Sequence, residues 1–160
     1  MPNNSLFNIV LVAPEIPGNT GSIGRTCVAL GLRLILIEPI AFDLSEKAVR
    51  RAGLDYWKHV NLSIYQDWDD FLKNEKPDEE NLFLFSRFSQ QSVYYDANYT
   101  EGCYLIFGSE TKGLPQDYQD NYPNRFFALP MFSEHIRSLN LSNAATTAAY
   151  EALRVIKFKG

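Results

Sequence analysis

LIFGSETKGLP (105–115) is a short apolar run that ends in glycine and opens into a polar turn carrying a lysine, a second glycine and a proline. A strand feeding a ligand-binding loop has this form, and in open parallel sheets ligands sit beyond the carboxyl ends of the strands. The familiar nucleotide loops do not fit it. A phosphate loop needs GxxxxGK[ST] so that backbone amides and the lysine surround the phosphates, yet Lys112 precedes Gly113 here and Leu114 and Pro115 stand where the helix should open. The dinucleotide fingerprint GxGxxG fails as well, because NTGSIGR (19–25) spaces its glycines three apart. There is no GxSxG elbow, only two histidines are available as bases, and no ligand cluster has metal-binding spacing.

Outward from this stretch the chain alternates between two periodicities. FNIVLVA (7–13) is a nearly continuous apolar run, the pattern of a strand covered on both faces. The prolines of PEIPGNTG (14–21) interrupt it, Asn19 or Thr20 is placed to cap a helix, and Gly31 is placed to end it. LRLILI (32–37) closes a strand–helix–strand unit. Ser45 predicts a short helix to Arg51, 60–65 a strand, Asp67 a helix to Lys73, and 82–85, 104–107 and 125–129 three further strands. A last helix is expected from Asn140 or Leu141 to about Phe158. Its face of Leu141, Ala144, Ala145, Ala148, Ala149, Ala152, Leu153 and Ile156 suits either a helix-on-sheet contact or a subunit interface. The fold class is therefore α/β, a mostly parallel sheet with helices on both faces, expected as a single domain over 1–160.

Composition narrows the setting. With 46% apolar and 21% charged residues, the 160-residue chain has the make-up of a soluble globular protein. No apolar run approaches the roughly 20 residues that span a bilayer. The first residues show neither a basic region nor a small-residue cleavage site, so no secretory signal and a cytoplasmic location are expected. Cys27 and Cys103 lie in apolar segments and read as free buried thiols. A net charge of −4 argues against general nucleic-acid affinity. A local patch can still be basic, and Lys47, Arg50, Arg51, Arg154, Lys157 and Lys159 are candidates for one or for ordinary solvated helix faces.

Three strand-end loops are rich in Gly, Pro, Asn and Ser: 14–21, 108–115 and 130–140. Their order and wording, NTGSIGR, LIFGSETKGLP and LPMFSEHIRSLNLSNAATTAAYEALR (129–154), together with LIEP (36–39) and RRAGLDYW (50–57), resemble the three motifs of the SpoU branch of the SPOUT RNA 2′-O-methyltransferases. The match is nearest to its minimal TrmL group, which carries no appended RNA-binding domain. The resemblance implies a C-terminal deep trefoil knot and a homodimer whose active site draws on both subunits. It implies S-adenosyl-L-methionine as cofactor and methyl transfer to the wobble nucleotide, cytidine or modified uridine, in the anticodon stem-loop of leucine tRNAs. No metal and no membrane are implied. Two rival readings stay open: the same chemistry on another tRNA or rRNA site, and a non-catalytic protein that binds cofactor or RNA.

By motif position the resemblance assigns Phe85, Gly108, Glu110, Gly113, Leu129, Met131, Ser138 and Leu139 to the cofactor. It assigns Arg25, Ser138 and Asn140 to catalysis, and Arg25, Glu110, Arg137 and Tyr150 to the substrate. Guanidinium stays protonated in proteins, so Arg25 is expected to hold a phosphate and stabilise developing alkoxide charge rather than act as a base. Ser138 and Asn140 are expected to orient the hydroxyl and the arginine. Glu110 reads either as a carboxylate satisfied by amides at a helix N-terminus or as a contact ordering Arg25 and the substrate. His135 falls in a part of the third motif that varies in length and is left outside the catalytic set. RNA contact would gather Arg25, Arg50, Arg51, Lys112, Arg137 and Arg154 on one face, with Tyr56, Trp57 and Tyr150 available to stack unpaired bases.

Overall fold

The computed structural model describes residues 5–87 and 93–159. Six strands are seen among them: β1 Asn8–Val12, β2 Arg33–Ile37, β3 Asn61–Tyr65, β4 Leu82–Phe85, β5 Tyr104–Phe107 and β6 Phe126–Phe127. They form one sheet in the order β3-β2-β1-β5-β4-β6, and every pairing in it is parallel. The helices are α1 Pro17–Leu30, α2 Glu46–Arg51, α3 Trp68–Glu75, α4 Gln116–Asn121 and α5 Leu141–Leu153. The chain winds outward from β1 to β2 and β3, and the other half occupies the opposite flank, so the order reverses between β1 and β5. In such sheets that reversal opens a crevice beyond the carboxyl ends of the two strands.

The alternation of side chains along each strand builds two cores. Ile9 and Leu11 of β1 join Ile23, Cys27 and the alanines of α5 on one face. Val10 and Val12 join Phe71 of α3 and Tyr118 of α4 on the other. Both thiols are free and buried, and burial pushes each up to about 12, so neither is an available nucleophile.

Several boundaries depart from the sequence reading. The helix expected to start at Asn19 or Thr20 starts at Pro17, where proline suits the first helical position, and no side chain of its own caps it. Gly31 ends it in the left-handed conformation at φ 68°, as expected. Ser45 and Asp67 both cap as predicted, accepting from the amides of Ala48 at 3.2 Å and Asp70 at 2.8 Å. The sixth strand is only Phe126–Phe127, because it is an edge strand paired on one side to β4. The short helix α4 had no clear apolar signal in sequence. Asn140 caps α5, whose last residues continue as a π-helical stretch, Arg154–Phe158. The alanine face resolves in favour of packing within the chain: Ala145, Ala148, Ala149 and Ala152 are fully buried in the core shared with α1 and β5. Small side chains there let the helix axes come close.

At the opposite end of the sheet from the crevice, Glu75 at the end of α3 takes both terminal nitrogens of Arg33 at 2.7 Å, with Tyr104 at 2.8 Å and a very short bond from Tyr65. Burial alone would raise the Glu75 carboxyl, but these donors outweigh it and hold it below its ordinary value. A carboxylate depressed on folding stabilises the native state above its unfolded pKa, and that stabilisation is lost as pH falls through the folded value. We therefore expect Glu75→Gln to cost about 3 kcal/mol near neutrality. Its urea midpoint should also fall less than the wild type's as the pH is lowered through and below the glutamate range.

A second expectation concerns Gly108, just after β5. A Cβ there would stand 2.1 Å from the Gly113 carbonyl carbon and 2.2 Å from the Leu114 nitrogen, both backbone atoms that cannot swing aside. Gly108→Ala should therefore lose about 4 kcal/mol or more, or fail to fold, as read by soluble yield and thermal unfolding.

Candidate functional site

The loop after β1 leaves the strand through Ala13, whose φ of 53° is uncommon for a residue with a side chain and marks local strain at the crevice. It turns the chain so that the amides of Glu15 and Ile16 face the loop after β5. There the Glu110 carboxylate receives them at 2.9 and 2.8 Å and takes a third bond from Asn19 Nδ2 at 3.2 Å. The return bond runs the other way: the Glu15 carboxylate accepts from the Thr111 amide at 3.1 Å and its hydroxyl at 2.7 Å. Those bonds hold the Glu15 carboxyl below its ordinary value. A negative charge at the start of α1 also opposes the positive end of the helix dipole.

The third loop joins through Asn19. Its Oδ1 accepts from Asn140 Nδ2 at 3.1 Å, while Asn140 Oδ1 accepts from the amides of Ser142 and Asn143 and from the Ser142 hydroxyl. One polar chain, Glu110 to Asn19 to Asn140, thus ties together residues far apart in sequence, and the three predicted loops do converge. Of the two readings of Glu110, the amide-satisfied carboxylate is the one seen. It makes no hydrogen bond or ion pair with Arg25. Asn140 gives its Oδ1 to the α5 cap and one of its two Nδ2 hydrogens to Asn19, which braces the loop.

The remaining predicted residues fall into distinct settings. Phe85 is almost fully buried and stacks on Phe107 at 4.7 Å between ring centres, so its ring is core. The segment SRFSQQ that follows it lies mostly outside the described residues. Gly108 is buried where the chain passes its own backbone, and Gly113 turns at φ 67°. Leu129 is half-buried against the core, and Met131 is half-buried in the loop beyond. Arg137 and Ser138 are exposed, as are Leu139 at 43% and Tyr150 at 54%.

Arg25 lies exposed on α1 with its guanidinium over the Tyr56 ring, 5.4 Å from the centroid. Among the other expected cations, Arg51, Lys112 and Arg137 are exposed, and Arg154 pairs with Glu151 at 2.6 Å; the Arg50 side chain lies outside the description. Trp57 is half-buried, with one edge of its ring packed against Gly24 of α1.

Sequence reading missed Glu15 and Thr111. Their signal was slight: an acidic residue just before a proline-started helix, and a hydroxyl inside a loop already singled out. Among the described residues no group of three or more His, Cys, Asp or Glu could hold a metal ion, and no helix is long and apolar enough to cross a membrane. Replacing Glu110 by Gln leaves an NH₂ facing a cluster of N–H donors, at about 1–3 kcal/mol per unsatisfied buried group. We expect Glu110→Gln to lower the melting temperature and to loosen amide protection at Glu15 and Ile16, measured by hydrogen exchange.

The SpoU rRNA Methylase family matches residues 6–150. A tRNA (cytidine(34)-2'-O)-methyltransferase of Burkholderia ambifaria is 43% identical over 156 residues, which cover 97% of this chain and 99% of that protein. A solved structure giving insights into the 2-OH methylation of C/U34 on tRNA superposes with a TM-score of 0.84 at 41% identity, covering 93% of this chain and 95% of the other. The SpoU methyltransferase AviRb from Streptomyces viridochromogenes, solved in complex with AdoMet, gives a TM-score of 0.78 at 26% identity over 96% of this chain and 59% of its own.

Proposed function

The chain belongs to the SpoU methylase family, and from that membership we propose that it is an S-adenosylmethionine-dependent tRNA ribose 2′-O-methyltransferase. The observation that carries this reading is the polar chain Glu110–Asn19–Asn140, which brings all three motif loops to the crevice between β1 and β5. The substrate we propose is the wobble nucleotide, cytidine or modified uridine, of leucine tRNAs. The relatives named for cytidine 34 and for C/U34 support position 34 of a tRNA as the site. The protein would work in the cytoplasm as a homodimer. With the alanine face of α5 used inside the chain, the surface left for a partner copy includes Arg25, Asn143, Thr147 and Tyr150, all exposed.

The residues present fit the cofactor. Adenosine needs apolar contact and backbone hydrogen bonds, and the loops offer Leu129, Met131 and Leu139 beside turns at Gly108 and Gly113. Leu139 has no core position of its own and stands next to the braced Asn140. We propose further that the chain is threaded in a trefoil knot at this point. Support comes from the route of the last segment: it crosses from β5 past β4 to β6 and returns to pack α5 on α1 and β5.

When bound, S-adenosylmethionine supplies an activated methyl group. The chain's own residues have the task of presenting the 2′-oxygen and accommodating its charge. Arg25 binds the neighbouring phosphate and stabilises the developing alkoxide with a charge that does not titrate near neutrality. Ser138, exposed in the third loop, donates to or accepts from the hydroxyl, and Asn140 keeps that loop in place. Arg137 and Tyr150 contact the RNA.

The deciding experiment incubates the pure protein with methyl-labelled cofactor and bulk tRNA and maps the 2′-O-methyl groups. Label is expected at the wobble nucleotide of leucine tRNAs. Cofactor binding with no incorporation into any tRNA would sink the enzyme reading. In the same assay Arg25→Lys is expected to lose about tenfold or more in turnover at every pH between 6 and 9, since lysine lacks the planar fork. Near-normal turnover with lysine would refute the role given to bidentate geometry.

A further inference from the structure

Two features were left without a use: the glycines of NTGSIGR and the segment RRAGLDYW. The fold brings them together. Gly21 and Gly24 lie on one face of α1, and residues 54–57 pack onto that face. A Cβ on Gly24 would meet the Trp57 ring at 2.6 Å, and one on Gly21 would press Leu54 at 3.3 Å and lie in ordinary contact with the Tyr56 hydroxyl at 3.6 Å. The glycines therefore serve close approach of this segment, where a phosphate was first considered. Tyr56 uses the approach to donate its hydroxyl to the Gly21 carbonyl at 2.7 Å. Burial raises that hydroxyl's pKa, against a smaller opposing pull from Arg25, so it remains a donor at neutral pH. With its hydroxyl tied to the helix, the ring is held under the guanidinium of Arg25, one turn further along α1.

A long arginine side chain on a helix surface samples many rotamers, and ordering it costs up to about 2 kcal/mol. A carboxylate partner would order it but would occupy its N–H donors, as Glu75 does for Arg33. A ring face attracts the cation through its quadrupole and leaves those donors uncommitted. Among the described residues Arg25 has no carboxylate partner and does have such a face.

We propose that Tyr56 is a positioning residue for Arg25, fixing where the guanidinium sits while leaving its hydrogen-bond donors for the RNA. This rests on the role assigned to Arg25 under the proposed function, and the test separates the two. NMR first reads the contact itself: Arg25 side-chain resonances should show a ring-current shift that Tyr56→Leu abolishes and Tyr56→Phe retains.

Single-turnover methylation then reads the consequence. Tyr56→Leu should slow the methylation step about three- to tenfold, with cofactor affinity unchanged, and Tyr56→Phe should recover most of that loss. In an Arg25→Gln background, Tyr56→Leu should make no further difference. An absent ring-current shift overturns the proposal alone, as does a Tyr56→Leu defect of equal size in the Arg25→Gln background or one confined to cofactor binding. A wild-type rate in Arg25→Gln with the shift intact instead overturns the catalytic reading of Arg25, and the positioning role falls with it.

Discussion

The Glu110 carboxylate is the joint on which this architecture turns. Two successive amides, of Glu15 and Ile16, leave β1 with no strand or helix partner, and a helix start with no capping side chain adds to the deficit. A buried or half-buried amide left unpaired costs about as much as a lost hydrogen bond. Glu110 answers this from the neighbouring strand's loop, and Asn19 and Asn140 extend the answer to a third loop. Because all the participants are loop or cap residues, the bonds fix relative placement of elements that the sheet by itself leaves free at their ends. The crevice has its shape for this reason.

Close approach is the second constraint, and it is exercised by glycine in two different ways. At Gly108 the missing side chain lets its own loop fold back, with Gly113 and Leu114 against it. At Gly21 and Gly24 it lets an aromatic segment lie on a helix. Neither use involves a left-handed backbone, in contrast to Gly31 and Gly113, where positive φ is the requirement. The same residue type thus marks contact in one place and turn geometry in another, and spacing in sequence does not say which.

The acidic balance of the chain sits easily with a nucleic-acid substrate once charge is considered locally. Glu75 and Glu151 are paired with the cations Arg33 and Arg154, while Glu110 and Glu15 keep their charge and are hydrogen-bonded by neutral loop donors. Arg25, Lys112 and Arg137 remain exposed. Field at a surface depends on uncompensated charges and where they stand, so the net charge says little about this face.

Most of the sheet was legible in the sequence because strands buried on both faces are nearly continuously apolar, as 9–12, Leu82–Phe85 and Tyr104–Phe107 are. The three loops were legible because turns and close approaches require Gly, Pro, Asn and Ser, and the resemblance of their wording pointed to a family. The start of α1 was misread because no side chain caps it and the chain entering it is held instead by Glu110, more than ninety positions away, while local capping rules see only neighbours. For the same reason sequence could not choose between the two roles of Glu110, or find the ring beneath Arg25. The apolar periodicity of α5 said that its alanines would be buried, while only the packed chain decided against what. Local composition determines which segments form strands, helices and turns; long-range partners decide which polar groups are satisfied and which are left over for chemistry.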